Sequence, residues 1–194
     1  LWDGGNNDTP FYRSDLEIVV TDPLRPGHGL AYFPGEENLR RADVAVINKV
    51  NSAPQEGVQK VRESIRSVNS SAQIVEADSL VDVTDPALLQ GKRVLVIEDG
   101  PTLTHGEMEF GAGVVAAREH GAGELVDPRP YAVGSIKRTY EKYSHLSNLL
   151  PAMGYGAEQC RELEQTIDAT PCDVVLVATP IDLGRIIRIS KPSV

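Results

Sequence analysis

Six short apolar runs, at residues 16–21, 44–47, 74–76, 94–97, 124–126 and 174–178, constrain this chain more than any other feature. They are rich in Val and Ile and too short for helices, so they read as buried strands. Helical patterns separate them. The clearest is 55–68, where Val58, Val61, Ile65 and Val68 recur every three or four residues and Lys60, Arg62, Glu63 and Arg66 take the other side. A second helix is expected over 107–120, closed by Gly121, with Gly111, Ala112, Gly113, Ala116 and Ala117 permitting close backbone approach. A third is expected over 157–167. This alternation predicts an α/β fold, a mostly parallel sheet with helices on both faces, in which ligands gather at the carboxyl ends of the strands. Chemistry is therefore expected in the segments directly after each strand. Two long irregular stretches, 23–34 and 127–144, join them, because loops of that length tend to carry function.

A length of 194 residues suits one domain spanning 1–194. The 41% hydrophobic and 24% charged residues are those of a globular chain, not a disordered one. Asp and Glu number 28 against 19 Lys and Arg, a net charge of -9. That balance argues against nucleic acid or an anionic membrane as partner, and any anionic ligand then needs a local basic site. Cys160 and Cys172 lack metal or redox spacing, and no apolar run approaches the roughly 20 residues of a membrane helix. A cytoplasmic setting is expected, with the cysteines, His120 and His145 confined to packing or surface.

Asp3, Asn6, Asn7, Asp8 and Thr9 surround Gly4-Gly5; they offer oxygen ligands to Mg2+ and donors to phosphate, or else form a polar turn. Arg25 and His28 follow the first strand and would donate to a phosphate or carboxylate, or else belong to a stiff proline loop. Asn48-Lys49 ends the second strand and resembles the N-K-x-D base-reading element of P-loop proteins. Asn51 stands where an Asp would accept from guanine, which weakens the case for GTP against ATP. Glu98, Asp99, Thr102, Thr104 and His105 follow the fourth strand. Either carboxylate could bind Mg2+ or act as a base, and Thr104 also suits helix capping. Arg129, Lys137 and Arg138 form the basic cluster that the composition requires. Thr179, Pro180 and Asp182 follow the last strand, as lining of a base pocket or as a strand-to-helix cap.

Taken in order, W-D-G-G-N-N-D, D-P-x-R-P-G-H, V-I-N-K-V, E-D-G-P-T-L-T-H-G, V-D-P-R-P-Y-A-V-G-S-I, L-P-A-M-G-Y and T-P-I-D-L-x-R-I-I resemble the C-terminal part of the cyclic 2,3-diphosphoglycerate synthetase family across nearly the whole chain. The resemblance implies a P-loop NTPase-like three-layer α/β fold. It also implies a cytoplasmic ligase, dependent on ATP and Mg2+, that closes a phosphoanhydride within 2,3-bisphosphoglycerate. On that reading Asp3, Glu98, Asp99, His105, Arg129 and Lys137 are catalytic, with Asp3 and Glu98 on the metal. Asn48, Lys49, Thr179, Pro180 and Asp182 hold nucleotide. Asn6, Asn7, Asp8, Arg25, His28, Thr102, Thr104, Arg129 and Lys137 hold substrate, and a homodimer is the candidate assembly. No Gly-Lys-Ser or Gly-Lys-Thr occurs, and Gly91-Lys92 is followed by Arg93, so the resemblance implies a phosphate-cradling loop and a further domain upstream of Asp3. The alternatives are a GTPase-like switch, a metallochaperone, or a kinase or ligase acting on another phosphorylated metabolite.

Overall fold

The computed structural model describes residues 1–5, 8–105 and 108–194, and the side chains of Thr102 and His105 also lie outside the described part. The chain divides into two compact units, Leu1–Leu80 and Val81–Val194. In the first, three parallel strands, β1 (Ile18–Thr21), β2 (Val44–Ile47) and β3 (Gln73–Glu76), lie side by side in that order. Helices α1 (His28–Ala31), α2 (Gly35–Arg41) and α3 (Gln55–Val68) connect them. α3 spans the residues its periodicity predicts. Its Val58, Val61 and Ile65 join Leu39 of α2 and Ala45 and Ile47 of β2 in one core, each large side chain contributing roughly 2 kcal/mol on burial. Neighbouring strand residues point to the opposite face, where Ile18 and Val20 are 56% and 64% exposed.

At the amino ends of these strands the buried Asn69 ties three elements together. Its Nδ2 donates to the carbonyls of Leu39, Arg40 and Ala42 at 3.1, 3.2 and 2.8 Å. Its Oδ1 accepts from Ser71 N–H, Ser71 Oγ and Ala72 N–H. One amide thus satisfies carbonyls left over at the end of α2 and sets the turn into β3.

In the second unit β4 (Arg93–Asp99) is central, and Val94 to Ile97 are completely buried. β7 (Val174–Ala178) pairs with it at residues 94–98, while β5 (Glu124–Leu125) and β6 (Leu150–Ala152) pair with its beginning and its end. Since a strand has two edges, β7 takes one and β5 and β6 share the other; all pairings are parallel. Helices α4 (Gly100–His105), α5 (Ala112–Glu119), α6 (Gly134–Lys142) and α7 (Ala157–Ala169) complete the unit. Pro192 and Val194 bond to Val175 and Val177 on the outer edge of β7.

Both units are α/β with parallel sheets, as the alternation predicts. The helix expected over 107–120 starts later, at Ala112, because its first turn is held by a carboxylate from β4, described below. α6 occupies part of the stretch expected to be irregular. It likewise starts on a borrowed group: Glu162 of α7 accepts from Ser135 N–H at 3.0 Å and from Ser135 Oγ. Cys160 and Cys172 are unpaired. Among the described residues no helix is long and apolar enough to cross a membrane.

Candidate functional site

In the first unit the loops after β1 and β2 meet on Asp22. Its Oδ1 accepts from Leu24 N–H at 3.0 Å, and its Oδ2 takes Lys49 Nζ at 2.9 Å and Arg25 Nη2 at 3.1 Å. Burial disfavours the charge on Asp22. The Lys49 hydrogen bond, the Leu24 N–H and the charges of Lys49 and Arg25 outweigh it and hold the carboxyl below its usual range. Both loops are firmly built. Gly57 leaves no space for a Cβ against the Pro23 carbonyl, so the first loop rests directly on the opening turn of α3. Lys49 has φ +60, a left-handed conformation uncommon outside glycine, and its carbonyl accepts from Ser52 and Ala53 N–H. Asn51, in the place of the guanine-reading Asp, exchanges hydrogen bonds with the backbone of Ser79.

In the second unit Glu98, the residue before the last of β4, is 3% exposed. Its Oε1 accepts from Val114 N–H at 3.0 Å and Gly111 N–H at 3.2 Å, and so caps α5 from a distance in sequence. Burial raises its pKa, the N–H groups of Val114, Gly111 and Gly113 counteract, and the neighbouring Asp99 adds repulsion; the result is about 7. A carboxyl poised there can take or give a proton near neutrality. The Tyr155 phenol, following β6, is pushed up by burial and by the Asp99 carboxylate, which places it on the same end of the sheet. α5 sits close because Gly113 has no side chain: a Cβ would lie 2.6 Å from Ala178 Cβ and 2.7 Å from Val96 Cγ1. Gly113→Ala is expected to cost about 2 kcal/mol by overpacking, despite its gain in helix propensity; a melting temperature unchanged from the parent would contradict this contact.

Asp3 is exposed in the first unit and Glu98 buried in the second, and among the described residues no group of three or more His, Cys, Asp or Glu is placed to hold a metal ion. Asp8 closes its own turn, accepting from Gly5 N–H at 2.8 Å; Asn6 and Asn7 lie outside the described residues, as do the side chains of Thr102 and His105. Thr104 Oγ1 donates to the Gly100 carbonyl. His28 packs edge-on against Tyr32. Arg129 is clasped by Asp127, with Nε and Nη2 on its carboxylate at 2.9 and 2.6 Å, while Lys137 lies exposed on α6. Thr179 Oγ1 donates to the Ile181 carbonyl, and Asp182 caps the turn at Leu183–Arg185 and pairs with Arg185, next to the exposed Pro180. Asp22 and Tyr155 are the residues that motif reading passed over. The signal for Asp22 was available: a carboxylate at a strand end, with a cation three residues on and another at the next strand end.

Parallel α/β units with charged side chains at the carboxyl ends of the strands define the class of protein. Over all 194 residues the chain is 61% identical to arginine synthetase ArcE of Thermococcus kodakarensis, and it spans 43% of that protein's length. No protein-family model matches the chain. The chain is thus a homologue of an enzyme. This match overturns the expected kinship with cyclic 2,3-diphosphoglycerate synthetases. With it go the cyclising reaction and the switch, metallochaperone and phosphometabolite-kinase alternatives. The structure supplies a physical reason: several of the motifs serve local architecture. Asp8, Asp182, Thr179 and Glu98 cap turns or helices, and such groups report a fold without specifying a substrate.

Proposed function

We propose that this chain is part of an arginine-forming enzyme. The supporting observation is its 61% identity, across every residue, to a protein named arginine synthetase. Completing a guanidinium requires a new C–N bond at a carbon whose leaving group is poor, and the entering nitrogen must shed a proton. ATP with Mg2+, when bound, would supply the activation that turns that leaving group into a good one. Of the expected nucleotide contacts, Lys49 suits phosphate by charge, whereas Thr179 and Asp182 are engaged in their own turn. Glu98 is the group suited to take the proton, since its affinity lies close to neutrality. The test is amino-acid analysis for arginine after the full-length protein is incubated with ATP and Mg2+ and either ammonium plus an amino acid bearing a ureido side chain, or an amidino donor plus an amino acid bearing an amine side chain. Arginine should appear, and Glu98→Gln should lower its rate at least about a hundredfold, the lower end of general acid–base contributions. Absence of arginine with every precursor would reject the reading; full activity in Glu98→Gln would confine that residue to holding α5.

A further inference from the structure

We propose that the outer edge of β1 is the docking site for a β-strand supplied by a part of the full-length polypeptide outside residues 1–194. The proposal stands on the geometry of the first unit and does not need the arginine-forming reading. The Glu17 carbonyl accepts from Val44 N–H at 3.1 Å and the Thr21 carbonyl from Asn48 N–H at 3.0 Å. Alternate residues of a parallel strand bond to the same neighbour, so 17, 19 and 21 serve β2. The N–H and C=O groups of Ile18 and Val20 therefore point away from β2. β1 is the outermost strand of its sheet, and among the described residues no strand meets them.

The same two residues present apolar side chains. Val19 packs against the core, whereas Ile18 and Val20 stand on the opposite face, which continues through Val44 and Val46 to Val75. A parallel sheet is ordinarily covered on both faces. An open groove of about 730 Å³ runs here, lined by Trp2, Tyr12, Leu16, Ile18, Val20 and Asn38 among others. β1 also lacks the devices that blunt a free edge: Ile18-Val19-Val20-Thr21 contains no charge and no proline, whereas β3, at the other edge, ends in Glu76 paired with Arg62. A row of alternating donors and acceptors is met in full by an extended backbone, which makes the occupant a strand and not a helix. Arginine synthetase ArcE is more than twice as long as this chain, which spans 43% of it, so a protein of that size has the chain to supply the strand. Pairing within one polypeptide also escapes the entropic cost of association.

Amide hydrogen exchange of the full-length protein, resolved to single residues, tests the docking. Ile18 and Val20 should exchange as slowly as Val19 and Thr21, whose N–H groups face β2, and at least about a hundredfold slower than an unstructured chain. That protection should be the same at every protein concentration. Exchange of Ile18 and Val20 at the unstructured rate would overturn the proposal; a helix lying on the open face would give this result, because it leaves the edge unbonded. Slow exchange that is lost on dilution would assign the edge to a second copy and overturn the intramolecular strand. A substitution supplies a separate readout: Val20→Lys should lower the melting temperature of the full-length protein by at least about 2 °C. An unchanged melting temperature would place Val20 on an open surface and overturn the proposal. Arginine formation, measured separately, bears on none of these outcomes.

Discussion

Asn69→Asp is expected to destabilise the first unit by about 4 kcal/mol, near the upper end of single-substitution effects. The exchange puts an oxygen where Nδ2 now faces three carbonyls, so the hydrogen bonds to Leu39, Arg40 and Ala42 are lost and replaced by repulsion. The site is 7% exposed, so water cannot readily take over, and a buried group left without a partner costs about 1–3 kcal/mol. The bonds accepted by Oδ1 from Ser71 and Ala72 survive the change, which isolates the donor half of the network. Asn69→Leu, lacking both halves but adding no charge, should be comparably damaging. Urea unfolding followed by circular dichroism measures both, with hydrogen exchange over 39–76 locating the loss. A change below about 1 kcal/mol in Asn69→Asp would mean that the three carbonyls find other donors.

Glu98→Gln should instead stabilise the second unit, and only at neutral and alkaline pH. The carboxyl titrates near 4.5 when unfolded and about 7 when folded. Below pH 4.5 it is protonated in both states and contributes no difference. As pH rises from there towards 7, the unfolded chain releases its proton while the folded chain retains it, so stability falls; above 7 the penalty is complete. At 1.36 kcal/mol per unit the penalty reaches about 3 kcal/mol. Gln keeps a carbonyl for the Val114 and Gly111 N–H groups without carrying a charge. The difference in unfolding free energy between variant and parent should therefore be near zero at pH 4.5 and grow to about 3 kcal/mol at pH 8. A difference independent of pH would show that Glu98 is already ionised with ordinary affinity. Stability gained together with arginine formation lost would mark Glu98 as a group retained for chemistry at the expense of stability.

Periodicity alone located α3 to the residue, because its apolar stripe depends only on its own sequence. The strands were legible for the same reason, within a residue or two at their ends. β6 was not, since Leu150-Pro151-Ala152 is short and contains a proline; it is strand only because the end of β4 offers it an edge. The boundaries of α5 and α6 were hidden because the groups that begin them, Glu98 and Glu162, lie elsewhere in the chain. At the candidate sites the residue types were readable but their engagements were not. Arg129 reads as an anion ligand in sequence, whereas its partner is Asp127, two residues away. Lys49 and Arg25 lie 24 residues apart in sequence, and what unites them is their convergence on Asp22. The ordered motifs point to a substrate as well as a fold, and the whole-chain identity to an arginine synthetase overturns that substrate.

The borrowed carboxylates tie two helix starts to distant parts of the chain. α5 follows Gly111 and α6 follows Val133, and neither residue has a side chain that bonds the first turn. Each first turn takes its acceptor from another element, β4 in one case and α7 in the other, so a substitution at Glu98 or Glu162 reaches a helix start 13 or 27 residues away in sequence.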